Sequence, residues 1–237
     1  MNVKSMVLFG TAAVFGCATA WAQPYDGISP GNNGGLLAMQ NNLEVGNEIF
    51  INPANSWNLD QFTIEYDNLQ TLTADVGIQV SFYLNNGPVD GTGHPTPGPS
   101  FFTSGFTSLA ALGGTSAGLH DINYTLSDFT AGWNQLNQPA YLLTPGNFTF
   151  TVTFTGLDVN NQISLPLGNN QATAYSQSFG DYWVNNVGSG GWALEAQSTP
   201  ANFLASFTGS VPEPSTFGLA AIGGAVLMGI NRLRRKS

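Results

Sequence analysis

Strict two-residue alternation of apolar and polar side chains is the feature that most constrains this chain. In Asn147-Phe148-Thr149-Phe150-Thr151-Val152-Thr153-Phe154-Thr155, the three phenylalanines and Val152 fall on one side and the threonines on the other. A helix, with its period of about 3.6 residues, would scatter those rings around its circumference, whereas an extended strand puts them all on one face. The pattern returns in 60–66, with Phe62, Ile64 and Tyr66 on one side, and in 76–85, with Ile78, Val80, Phe82 and Leu84. Further strands are expected at Leu43–Ile51, 122–126, 192–196 and 203–207. Asn-Gly, Asp-Gly, Gly-Gly and Asn-Asn pairs between them accept the backbone angles of tight turns. The stretch 85–100, rich in glycine and proline, reads as a loop. Residues 108–112 read as a short helix stopped by Gly113-Gly114. The fold class expected is all-β: one antiparallel β-sandwich over 23–209, jelly-roll-like, with half-buried strands.

Charge narrows the function classes. Charged residues make up 8% of the 237, against roughly a quarter in an ordinary soluble domain. The five basic residues are Lys4, Arg232, Arg234, Arg235 and Lys236, so none lies between Val7 and Asn231. All 14 acidic residues fall within that interval, and the net charge is -9. Nucleic-acid binding is excluded as a reading, because its affinity comes mainly from Lys and Arg displacing counterions from phosphate. Lys or Arg ion pairs are equally excluded from the middle of the chain.

The two ends read as addresses. Lys4 is followed by an apolar run over 6–18 and then Ala20-Trp21-Ala22, with small residues at the two positions that signal peptidase reads. Residues 1–22 are therefore expected to be a helical signal peptide cut between Ala22 and Gln23. Cys17, the one cysteine, lies inside it, so the exported chain would hold no disulfide. The other end, 210–237, has three parts: Val211-Pro212-Glu213-Pro214-Ser215-Thr216, an apolar run over 216–230, and a basic tail over 231–237 carrying Arg232, Arg234, Arg235 and Lys236. The prolines keep the first part extended. The run would rise only about 22 Å as a helix, short of the roughly 30 Å hydrocarbon core, and the tail would stay cytoplasmic by the positive-inside rule.

This three-part end resembles the PEP-CTERM sorting signal, with Pro212-Glu213-Pro214 in place of the family's Pro-Glu-Pro element. The resemblance implies recognition of Val211, Pro212, Glu213, Pro214 and Ser215 by a membrane-embedded exosortase, removal of the membrane helix and tail, and release or transfer to the cell surface. It also implies company: carriers of the signal are taken as surface or biofilm-matrix proteins of bacteria that make extracellular polysaccharide.

Catalytic chemistry finds little support in the residues. His94 and His120 are isolated from any ligand-spaced partner, so no metal site is expected. Ca2+ is the one cation that the surplus of Asp, Glu and Asn oxygens would suit, yet Asp158-Val159-Asn160-Asn161-Gln162 lacks the glycine and distal glutamate of an EF-hand and reads as a hairpin turn. Glu44 and Glu48 share one side of a strand, as some pair among so many carboxylates must. Trp133 and Trp183, with polar neighbours, are the candidate sugar-contacting rings. The reading is an exported, non-catalytic surface or matrix protein with a structural or adhesive role, partnered by signal peptidase, exosortase and extracellular polysaccharide. A carbohydrate-binding module delivered the same way is the alternative, and a polysaccharide-acting hydrolase the third.

Overall fold

The structure, a computed structural model, describes residues 21–26, 35–51, 57–91, 93–134, 142–143, 146–168, 176–178, 181–186, 191–195 and 202–210. Its elements in chain order are β1 (Trp21–Asp26), β2 (Gly35–Ala38), β3 (Leu43–Ile51), β4 (Trp57–Asn68), β5 (Gly77–Leu84), β6 (Ser100–Thr103), β7 (Thr107–Ser108), β8 (Gly118–Thr125), α1 (Leu126–Gly132), β9 (Leu142–Leu143), β10 (Gly146–Thr155), β11 (Ile163–Gly168), β12 (Ser176–Ser178), β13 (Tyr182–Asn186), β14 (Trp192–Glu195), β15 (Asn202–Phe203) and β16 (Ala205–Ser210). They form two antiparallel sheets of eight strands. The first runs β1-β16-β4-β11-β15, with β2 on β11 and with β8 and β9 on β4; the second runs β14-β13-β3-β10-β5-β6, with β12 on β3 and β7 on β5.

The alternating segment forms β10 and sits between β3 and β5, its register placing Val152 opposite Val45 and Val80, and Phe150 opposite Asn47 and Phe82. Because partners in antiparallel register share a face, the apolar halves of three strands become one continuous surface. The first sheet answers with Phe62, Ile64 and Tyr66 of β4 and Phe207 of β16, all buried. Phe62 is the hub of the joint. Its ring lies 4.7 Å from Phe207 in its own sheet, and 5.3 Å from both Phe82 and Phe150 across the core, the contact with Phe82 being edge-to-face. Phe148 meets Phe207 at 5.4 Å. Offset and edge-on pairs at these separations contribute beyond the area they bury.

One buried polar group crosses the same space. Asn47 projects from the core face of β3, accepts the Phe203 backbone N–H at 2.5 Å and donates to the Asp181 carbonyl at 2.8 Å. It thereby joins β15 of the first sheet to the segment leading into β13 of the second.

The short helix expected at 108–112 is instead a turn, closed by Gly114 N–H to the Leu109 carbonyl at 2.9 Å and by Gly113 at a φ of 76°. Five residues are too few to repay helix nucleation. The helix lies further on, where a strand was expected to reach residue 126: β8 stops at Thr125, whose backbone N–H donates to the Asp128 carboxylate at 2.7 Å. Thr125 and Asp128 are thus the two ends of a capping box. Residues 1–20 of the expected signal peptide (1–22), and the sorting motif, membrane helix and basic tail over 211–237, lie outside the described residues. No helix among the described residues is long and apolar enough to cross a membrane.

Replacing Phe62 with alanine should lower unfolding free energy by about 3–5 kcal/mol. Asn47→Leu, which strands the buried Phe203 N–H, should lower it by about 1–3 kcal/mol. Urea unfolding followed by tryptophan fluorescence measures both.

Candidate functional site

Antiparallel register builds a polar face on the outer side of the second sheet. Thr153 of β10 stands between Glu44 of β3 and Gln79 of β5, with Asn185 of β13 beside Glu44. Two residues along, Thr151 stands between Gly46 and Ser81, with Trp183 beside Gly46 and Thr103 beside Ser81. The next row is Glu48, Thr149 and Tyr83. A Cβ on Gly46 would overlap the Phe150 carbonyl oxygen, so glycine is what lets β3 and β10 run this close.

The half-buried strand expected for β10 is therefore corrected: Thr149 and Thr151 are buried as completely as the phenylalanines behind them. The cover is aromatic. Tyr83 of β5 and Trp192 of β14 come from strands four places apart in the sheet, yet their rings meet edge-to-face at 5.4 Å, so the β14 edge curls back over the polar face.

Under that cover lie two carboxylates with no cation to pair with. Glu44 accepts hydrogen bonds from Thr151 Oγ1 at 2.6 Å and Asn185 Nδ2 at 3.2 Å, and from the Tyr83 phenol. Glu48 accepts from Asn147 Nδ2 at 2.5 Å, with the Asn85 side chain and the Trp183 indole as close neighbours. Burial pushes the Glu48 carboxyl above its ordinary range, the neighbouring polar groups of Asn85, Trp183 and Asn147 hold it down in part, and the charge of Asp181 adds to the rise. Burial likewise raises the Tyr83 phenol, with the neighbouring Glu44 charge adding to it. Asp181 is itself raised, chiefly by burial. On the first sheet, Glu65 stands directly opposite Asp121 in the register, and burial together with Asp121 and Asp67 raises its pKa as well.

The two candidate tryptophans are not brought together. Trp183 is 0% exposed, with its indole turned to Glu48, and offers no face to a ligand. Trp133 follows α1 and packs half-buried against Phe101 at 5.3 Å, on the β6 side of the sheet, far from β13. Their polar neighbours in sequence reflected turns, not a shared surface. Tyr83 and Phe106 do flank a cavity. This cavity, of about 350 Å³, opens on the polar face and is also lined by Glu44, Gln79, Ser81 and Thr153. Register carries the grouping of Glu44, Gln79, Ser81, Tyr83 and Thr153, and it becomes legible only once β3, β10 and β5 are known to be neighbours.

Of the remaining candidates, Asp158 is occupied within its own turn, accepting from Asn160 N–H at 2.7 Å and Asn161 Nδ2 at 2.8 Å. His120 stacks on Tyr66 at 5.3 Å with Nε2 2.8 Å from the Ser116 carbonyl. Among the described residues no three His, Cys, Asp or Glu side chains gather where they would hold a metal ion.

The first and last described strands pair on the first sheet. β1 pairs with β16 so that Trp21 faces Ser210 and Ala22 faces Gly209; after a register shift, Tyr25 faces Phe207 and Asp26 faces Ser206. Pro24, which has no N–H to give the ladder, falls at that shift. The sheet thus runs from Trp21 to Ser210, slightly past both expected boundaries at 23 and 209. Cleavage between Ala22 and Gln23 would remove the two pairs before the shift and keep the two after it.

Residues 210–236 match the PEP-CTERM protein-sorting motif. The match begins at the last residue of β16, and it makes this chain a substrate of exosortase: an exported protein held transiently at the membrane. No curated protein matches the chain.

The raised carboxyls set the direction of the pH response. A group whose folded pKa lies above its unfolded value contributes most below the unfolded pKa, ordinarily 4.5 for Glu48, and that contribution is lost as pH rises through the folded value. Glu48, Glu65, Asp60 and Asp181 all act in this sense. The protein should therefore melt at higher temperature at pH 5 than at pH 7, and Glu48→Gln should reduce that difference; calorimetry at the two values reads it.

Proposed function

We propose that this protein is a non-catalytic structural or adhesive component of the bacterial surface or polysaccharide matrix, delivered there after exosortase removes its C-terminal segment. On this reading the sandwich, taken as jelly-roll-like, is cargo, and the segment after Ser210 is its address. The observation that supports the reading is how the domain uses its buried acids. Glu44 and Glu48 are each engaged by neutral donors inside the fold. A hydrolase needs the opposite, a pair of carboxyls facing a substrate across a cleft at about 5–9.5 Å. The remaining acids keep a base-free surface soluble and discourage strand edges from pairing with other chains.

Replacement of Pro212, Glu213 and Pro214 by alanine should leave the protein in the inner-membrane fraction with its basic tail attached. The native chain should be recovered outside the cell without that tail. Fractionation with mass spectrometry of the C-terminus measures this, and unchanged surface delivery of the variant would overturn the sorting part of the reading.

A further inference from the structure

We propose that the cavity on the outer face of the second sheet binds one uncharged sugar residue of a polysaccharide. This gives the sugar-contact reading a residue set different from Trp133 and Trp183, and it does not depend on how the protein is delivered.

The first argument is shape. A volume of about 350 Å³ lies at the small end of the range for ligand sites, roughly 300–1,000 Å³, and suits one or two sugar rings better than an extended chain. The second is the distribution of wall chemistry. Register puts Tyr83 beside Thr149 at one end of the cavity, while Phe106 packs against Gly77, opposite Thr155, at the other. Between them the floor carries Ser81, Thr153, Gln79 and Glu44. A sugar ring has the same division, with C–H faces that lie on aromatic rings and a rim of hydroxyls that need partners. Phe106 is 52% exposed, a large ring left half in water at the mouth of the cavity.

The third argument is charge. Glu44 is 6% exposed and already fixed by Thr151, Asn185 and Tyr83, so its orientation is set before any ligand arrives. A carboxylate offers about four acceptor positions, and three donors leave room for a sugar hydroxyl. With no Lys or Arg between Val7 and Asn231 and a net charge of -9, uronate, sulfate and phosphate groups are repelled from this face. An uncharged sugar remains as the ligand class.

The test is isothermal titration of the exported protein with uncharged hexasaccharides of β-glucan, mannan and galactan, and with oligogalacturonate as the anionic counterpart. Saturable binding of at least one uncharged hexasaccharide is expected, with none for oligogalacturonate. Phe106→Ala should weaken it at least tenfold and Glu44→Gln should weaken it too. Val159→Ala, on the exposed β10–β11 turn, should leave it unchanged. Phe106 is half-exposed, so its variant reports on binding even if Glu44→Gln fails to fold; thermal melts confirm which variants are folded. Absence of heat with all three uncharged sugars, equal binding of oligogalacturonate, or full binding by folded Phe106→Ala overturns the proposal.

Discussion

No lysine or arginine lies between Val7 and Asn231, and much of the architecture of the described residues answers that constraint. A buried carboxylate usually leans on arginine or lysine. Here Glu44 and Glu48 lean on a threonine hydroxyl, asparagine amides and a phenol. Neutral groups satisfy hydrogen-bonding capacity without cancelling charge, so Glu48 keeps a raised pKa despite them. Desolvation that a counterion would have offset is left standing. The result is a sheet with two interiors, one aromatic and dry, the other made of hydroxyls, amides and acids under an aromatic cover.

The aromatic interior supplies most of the cohesion. Phe62 and Phe207 of one sheet interlock with Phe82, Phe148 and Phe150 of the other, and the contacts among them are tilted or edge-on. Rings of this size leave little freedom to shift one sheet over the other. Asn47 adds direction to that cohesion. Its bonds to Phe203 N–H and the Asp181 carbonyl are satisfied only when β15 and the start of β13 are both in place, so one side chain selects a relative position for two segments.

Much of the first interior was legible in the sequence, because alternation is local. Phe148, Phe150, Val152 and Phe154 announce an inward face by spacing alone, as do Phe62, Ile64 and Tyr66, and Leu43–Ile51 forms a strand over the same bounds that its residues suggest. The second interior was not legible. Threonines alternating with phenylalanines read as solvent-facing, and their burial depends on Trp192 reaching Tyr83 from across the sheet, a contact with no local signature. The same non-locality hid the cavity: Glu44, Gln79, Phe106 and Thr153 come from separate stretches of chain. Trp183 misled for the converse reason, since Asp181 and Asn185 beside it in sequence are partners within the fold, not signs of an exposed edge. The helix at Leu126–Gly132 had a readable start in Thr125 and Asp128, but the strand pattern immediately before it masked the change of period.

The pairing of β16 with β1 on one side and β4 on the other has a mechanical consequence. Tension entering at Ser210 from whatever holds the C-terminal end travels along the axis of a strand laced on both flanks. Its hydrogen bonds are then loaded in shear, all at once, where a strand pulled sideways would unzip one rung at a time. The point of attachment is thus among the parts of the domain best placed to resist being torn out.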